Sequence, residues 1–98
     1  MIASFRDKRT REFAEGKPVK AFSGFSRLAE MKLDQLEAAT TIRDLENFLG
    51  NRLESLNGDR KGRCSIRINN EWRIRFEWPG RSPGLRPGPI SVEIVKHQ

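Results

Sequence analysis

Residues 62–78 read GRCSIRINNEWRIRFEW, and their alternation decides the fold. Cys64, Ile66 and Ile68 fall on one side of a first run, with Arg63, Ser65, Arg67 and Asn69 on the other. In a second run Trp72, Ile74, Phe76 and Trp78 oppose Arg73, Arg75 and Glu77. Successive side chains on a strand point to opposite faces, so a period of two predicts two strands sharing one apolar and one polar face. Asn69-Asn-Glu71 between them suits a tight hairpin. The polar face then carries four arginines, Arg63, Arg67, Arg73 and Arg75. Like charges on neighbouring strands repel, so this face asks for an anion.

The elements around the hairpin follow from pattern and punctuation. Ile2-Ala-Ser-Phe5 is apolar and β-compatible, which predicts a first strand. Residues 6–15 are helix-forming and stop at Gly16-Lys-Pro18, a Gly and then a Pro in the expected order. Ser26 to Ala39 predicts the best helix, with Ser26 as N-cap and Ala29, Leu33 and Leu36 at helical spacing, flanked by Leu28 and Met31. Thr41 to Leu45 predicts a short helical turn, ended by Phe48-Leu-Gly-Asn51, and Leu53 and Leu56 are anchors in a more extended segment. Asn57-Gly-Asp-Arg-Lys-Gly62 is a turn, residues 79–89 are a loop with four prolines, and Ile90, Val92 and Ile94 alternate as a final strand. The order predicts an α+β architecture: an N-terminal strand and two helices packed on one face of a small antiparallel sheet, with the arginine face left open.

Length allows one compact core, so residues 1–98 are expected to form a single domain. No apolar run approaches the roughly 18–20 residues that span a bilayer, and Met1-Ile-Ala-Ser-Phe-Arg6 has no signal-peptide core. Both observations lead to the expectation of a cytoplasmic protein without a membrane partner. One cysteine, Cys64, and one histidine, His97, exclude an internal disulfide and a Cys/His metal cluster within one chain. No metal or cofactor is expected. The net charge of +6 is uneven: residues 1–50 hold nine basic and eight acidic side chains, residues 51–98 ten and five. A basic half on a small chain points to a polyanion, most often nucleic acid.

The ordered block Asn51-Arg-Leu-Glu-Ser-Leu-Asn-Gly-Asp-Arg-Lys-Gly62, followed by Ser65-Ile-Arg-Ile-Asn69, Trp72-Arg-Ile74, Phe76, Trp78 and Val92-Glu-Ile-Val95, resembles the HigB toxins of the RelE/ParE superfamily. Ile2 to Arg6, Leu36-Glu-Ala-Ala39 and Asp44-Leu45 also fit, so the resemblance covers most of the chain outside the 79–89 loop. It implies a RelE-like fold and a toxin of a type II toxin–antitoxin system that binds the ribosomal A site and cuts mRNA there, a metal-independent endoribonuclease. It also implies a HigA-like helix-turn-helix antitoxin, which neutralises the toxin and brings it to operator DNA. HigA relatives often bind away from the active face. The superfamily is mixed, however: ParE relatives poison gyrase, and fold alone does not choose between the two. A degenerate module that only binds RNA or antitoxin is the third alternative.

Metal-free RNA cleavage sets three tasks: a base for the 2′-OH, positive charge against the phosphorane, and an acid for the 5′ leaving oxygen. Arginine suits the second, because its charged planar fork holds two phosphate oxygens. Arg67 and Arg73 match the places where basic residues line the superfamily's groove, and phosphate binding is assigned to them. Arg60, Lys61, Arg63, Arg75 and Lys96 are expected to contact RNA backbone. His97 is the catalytic candidate for proton transfer, since an imidazole with an unperturbed pKa of about 6.5 suits that work. Many relatives end in Val-Glu-Ile-Val-Asp-Tyr-His; here Lys96 stands in place of Asp, His97 in place of Tyr, and the chain has no tyrosine. Glu93 or Lys96 would be the substitutes. Trp72, Trp78 and Cys64 belong to the core side by alternation.

Overall fold

The computed structural model describes residues 2–40, 42–46, 54–55, 63–78 and 88–96. Along the chain these form α1 (Lys8–Ala14), a short 3-10 turn (Lys20–Phe22), α2 (Ser26–Ala38), α3 (Ile42–Glu46), β1 (Glu54–Ser55), β2 (Arg63–Arg67), β3 (Trp72–Glu77) and β4 (Ile90–Lys96). The strands make one antiparallel sheet in the order β1-β2-β3-β4. The expected α+β architecture is therefore the observed one. No helix among the described residues is long and apolar enough to cross a membrane.

The β2–β3 hairpin forms where the alternation places it. Its turn is locked by Asn69, whose Oδ1 accepts the backbone N–H groups of Glu71 and Trp72, both at 2.8 Å. A short amide side chain imitates a backbone turn in this way. Register then brings Ile66, Ile74 and Ile94 into one row across three strands, and Cys64 opposite Phe76. All five are buried. This row is the floor of the core.

Helix α2 covers that floor with Ala29, Leu33 and Leu36, as its spacing predicts. Two details of the expectation are corrected. Ser26 is the first helical residue, preceded by Phe25, and no side chain caps the helix. Met31 points outward and is 47% exposed, because the buried stripe runs through Lys32 instead. Phe22 packs edge-on against Phe13 (5.2 Å between ring centroids) and Trp72 (5.7 Å), closing the core at one end. Truncating so central a side chain costs about 3–5 kcal/mol. The guanidinium of Arg9 covers the same rings, 5.2 Å from the Phe22 centroid and 5.8 Å from Trp72.

Helix α1 ends as Gly16-Lys-Pro18 predicts. Gly16 takes φ +95°, its N–H reaches the Phe13 carbonyl at 3.1 Å, and the Lys17 N–H reaches the Glu12 carbonyl at 3.0 Å. These two bonds satisfy carbonyls that the last turn leaves open.

The first residues have a different role from the one their pattern suggests. Ile2 to Phe5 forms a single parallel bridge, Phe5 to Val92, rather than a full strand. It runs along the outer edge of β4. The Ala3 N–H donates to the Pro89 carbonyl (2.9 Å), the Val92 N–H to Ser4 (3.1 Å), and the Arg6 N–H to Val92 (2.9 Å). Beyond it, Thr10 Oγ1 accepts the Ile94 N–H at 3.0 Å, and Arg9 reaches the Ile94 carbonyl at 3.4 Å. An edge strand exposes a row of unpaired backbone groups; here the N-terminal segment and α1 cover it. The ladder between β3 and β4 slips by one residue between Arg75 and Glu77, and Ser91 there adopts φ 54°. Left-handed backbone is strained for a non-glycine residue. Ser4 Oγ accepts the Ser91 N–H at 2.9 Å and helps hold it.

Candidate nucleic-acid interface

The polar face of the sheet is built by the same register that builds the core. Arg67 lies directly across from Arg73, Ser65 across from Arg75, and Arg75 across from Glu93. Two like charges at directly opposed positions repel, and the fold offsets this by holding each guanidinium separately. Arg73 donates from Nε to Ser65 Oγ at 2.9 Å and from a terminal nitrogen to the Ser65 carbonyl at 3.5 Å. Arg67 donates to Asn70 Oδ1, just past its own strand. Asn69 therefore shapes the turn while its neighbour Asn70 steadies an arginine.

The expectation of an open arginine face is corrected in part. Arg63, Ser65 and Arg73 are buried, while Arg67 and Arg75 are half-buried. Arginine stems lie along the sheet, and their heads find internal acceptors. Arg63 contacts Glu93 Oε2 at 3.4 Å, and Arg6 approaches the same oxygen at 3.5 Å. Arg63, assigned from the sequence to RNA backbone, thus sits in an ion pair within the fold. Its Nε is buried and has no hydrogen-bond partner among the described residues. Lys96 is exposed at the end of β4, with Trp72 as its cross-strand neighbour. Arg60, Lys61 and His97 lie outside the described residues, as do Phe48, Leu53, Leu56, the 57–62 turn and residues 79–87.

Three contributions escape the sequence pattern. Ser65 looks like a small polar filler until Arg73 reaches it. Glu93, named from the sequence as a substitute for proton transfer, shows its ion-pairing role only once β4 is placed beside Arg63 and Arg6. Lys32 on α2 is buried at 4% exposure, and its ammonium pKa falls below the ordinary 10.5, first through burial and then through the charge of Arg67. No sequence spacing links residues 32 and 67; only the tertiary fold does. Among the described residues there is no group of three or more His, Cys, Asp or Glu arranged to hold a metal ion. The chemistry this face offers is fixed positive charge and hydrogen-bond donors, suited to anionic oxygens.

Residues 3–83 match the family described as RelE-like toxin of type II toxin-antitoxin system HigB. The chain belongs to this HigB-like toxin family. It is also 38% identical over 80 residues to Toxin HigB-1 of Vibrio cholerae serotype O1, covering 80% of this chain and 84% of that protein. The resemblance carried by the 51–78 block and the N-terminal residues is thereby borne out. A HigB-like toxin is a type II toxin, and such a toxin has an antitoxin as partner. Its family match ends before β4, so what Glu93, Lys96 and His97 contribute is read from this chain's own residues.

Proposed function

We propose that this toxin is a ribosome-dependent mRNA endonuclease that cuts mRNA in the A site by 2′-OH attack on the neighbouring phosphate. The observation that carries this reading is the pair Arg67 and Arg73, directly opposed on the polar face of a HigB-like toxin. In the reaction a bond forms between O2′ and phosphorus, and the bond from phosphorus to O5′ breaks. The products are a 2′,3′-cyclic phosphate and a 5′-hydroxyl end. Negative charge grows on the phosphorane oxygens between these events. A guanidinium already held in place meets that charge without reorganising, the condition under which electrostatic stabilisation is largest. Arg73, clamped by Ser65, meets that condition. Arg67, half-buried and tethered through Asn70, can turn toward the second oxygen.

Proton transfer falls to His97 in this reading. Glu93, the substitute considered from the sequence, is already engaged by Arg63 and Arg6, which makes it a structural anion rather than a free base. Arg75 and Lys96, with Arg60 and Lys61, would guide the RNA backbone through long-range attraction. The partners that go with this activity are the ribosome, its mRNA and a HigA-like helix-turn-helix antitoxin, through which the toxin reaches operator DNA. The compartment is the cytoplasm, where ribosomes are.

Primer extension on mRNA from translating ribosomes, with toxin freed of antitoxin, tests the proposal. Cuts within A-site codons are expected. Growth arrest without cuts, accompanied by loss of gyrase supercoiling, would replace the nuclease with a gyrase-directed toxin. Expression without any growth defect would leave a silent binding module.

A further inference from the structure

A second surface of the molecule has chemistry opposite to the arginine face. A cavity of about 390 Å³ opens between the N-terminal segment, the end of α1 and the outer side of α2. Phe13 and Leu33 form its floor, with Ile2, Phe5 and Ala14 as apolar walls. Among the described residues its polar lining is acidic: Glu15, Glu30, Asp34 and Glu37. None of the described residues that line it is a lysine or arginine, on a chain whose net charge is +6. None of them belongs to the sheet strands either, so this groove and the arginine face share no residue among those described.

Two of the carboxylates are already used. Glu37 Oε2 accepts the Ile2 N–H at 2.7 Å, and Glu15 lies 3.8 Å from the Lys17 ammonium. Glu30 and Asp34 have no ion pair among the described residues and stand one helical turn apart on α2. Like charges at that spacing destabilise a helix. An apolar trough flanked by unneutralised carboxylates is complementary to one kind of occupant: apolar side chains flanked by Lys or Arg.

We infer that this groove docks the antitoxin, through an amphipathic segment that seats apolar side chains on Phe5, Phe13 and Leu33 and sets basic side chains against Glu30 and Asp34. The charge pattern also gives the groove a filter. RNA and the acidic surfaces drawn to the arginine face are repelled here, so antitoxin and nucleic acid are sorted to different sides of one small molecule. The inference rests on membership of the toxin family and not on the nuclease reading.

The test uses the full-length toxin and the full-length antitoxin encoded with it, measured by isothermal titration calorimetry. Two toxins are compared with wild type: the double variant Glu30→Lys/Asp34→Lys, and Ala14→Trp, which fills the groove from an exposed position. Circular dichroism melts verify that each variant is folded. Both are expected to weaken the complex at least tenfold, and raising the salt from 50 to 300 mM is expected to weaken the wild-type complex but not the charge-reversed one. Affinities within twofold of wild type for both variants would overturn the inference. So would a wild-type toxin that self-associates and becomes monomeric with Ala14→Trp while antitoxin affinity is unchanged, since the occupant would then be a second copy. Cleavage by the free toxin is read separately, so a failed nuclease assay leaves this result standing.

Discussion

The polar face of the sheet and the groove beside α2 both concentrate one sign of charge, but the fold treats them differently. On the sheet the guanidiniums are held: Ser65 takes Arg73, Asn70 takes Arg67, and Glu93 takes both Arg63 and Arg6. In the groove, Glu30 and Asp34 have no cation lining the site with them among the described residues. A charge that the fold has immobilised is suited to meeting another charge at a fixed distance. A charge left unneutralised on a helix surface is suited to exchange its hydration for a partner. In the functions proposed above, the first arrangement would serve chemistry and the second recognition.

The largest effect that would break this contrast is expected at Arg73. Arg73→Ala should lower A-site cleavage about 100-fold, the loss typical of removing one preorganised donor, as measured by primer extension. Arg73→Lys should not restore it, because an ammonium cannot make the fork that Ser65 orients. Antitoxin affinity should stay within twofold of wild type in both. An equal loss of binding would mean that the two surfaces are one.

Glu93 comes next. Glu93→Ala leaves the buried Arg63 without its carboxylate, and urea denaturation should show a loss of roughly 3 kcal/mol. Replacing the pair together, Arg63→Met with Glu93→Leu, should recover most of it, since apolar residues of similar size often match a buried ion pair. A double variant as unstable as Glu93→Ala would point to Arg6 as the main partner.

Lys32 offers a smaller signature, in pH. Its folded pKa lies below 10.5. Between that lowered value and 10.5 the unfolded chain holds a proton that the folded chain has released, so stability should climb as pH rises through this window. Lys32→Met should flatten the climb, as read from thermal melts across alkaline pH. The smallest effect is expected in the groove. Glu30→Gln with Asp34→Gln relieves one like-charge pair and should stabilise the free toxin by only about 0.3 kcal/mol, while weakening its antitoxin complex. Gain in one assay and loss in the other is the mark of charges kept for a partner.

Local patterns were legible in the sequence, and distant pairings were not. The alternation over residues 63–78 gives the hairpin, its turn at Asn69-Asn-Glu71 and the shared polar face of Arg67 and Arg73, because all three depend on short-range pattern. The spacing of Ala29, Leu33 and Leu36 gives the core side of α2. Met31 misleads because apolar residues are also common on surfaces. Lys32 is hidden because a long stem can be buried beneath its charge. The burial of Arg63 was invisible for a plainer reason: its partner Glu93 stands thirty residues further on, and nothing in either stretch announces the other. The Ile2–Phe5 run reads as a strand because it is β-compatible, yet it finds only the parallel edge of β4.

That edge contact sets an order of events during synthesis. The Ser91 amide is held by Ser4, 87 positions earlier, and Phe5 meets Val92 over the same span. Closing so long a loop is slow compared with forming a hairpin or a helix. Glu93, the anion that gathers Arg63 and Arg6, is made with the same late strand. A nascent chain that has reached only residue 78 therefore carries its hairpin arginines without the strand that completes the sheet. The arginine face is completed only when β4 joins the strands made before it.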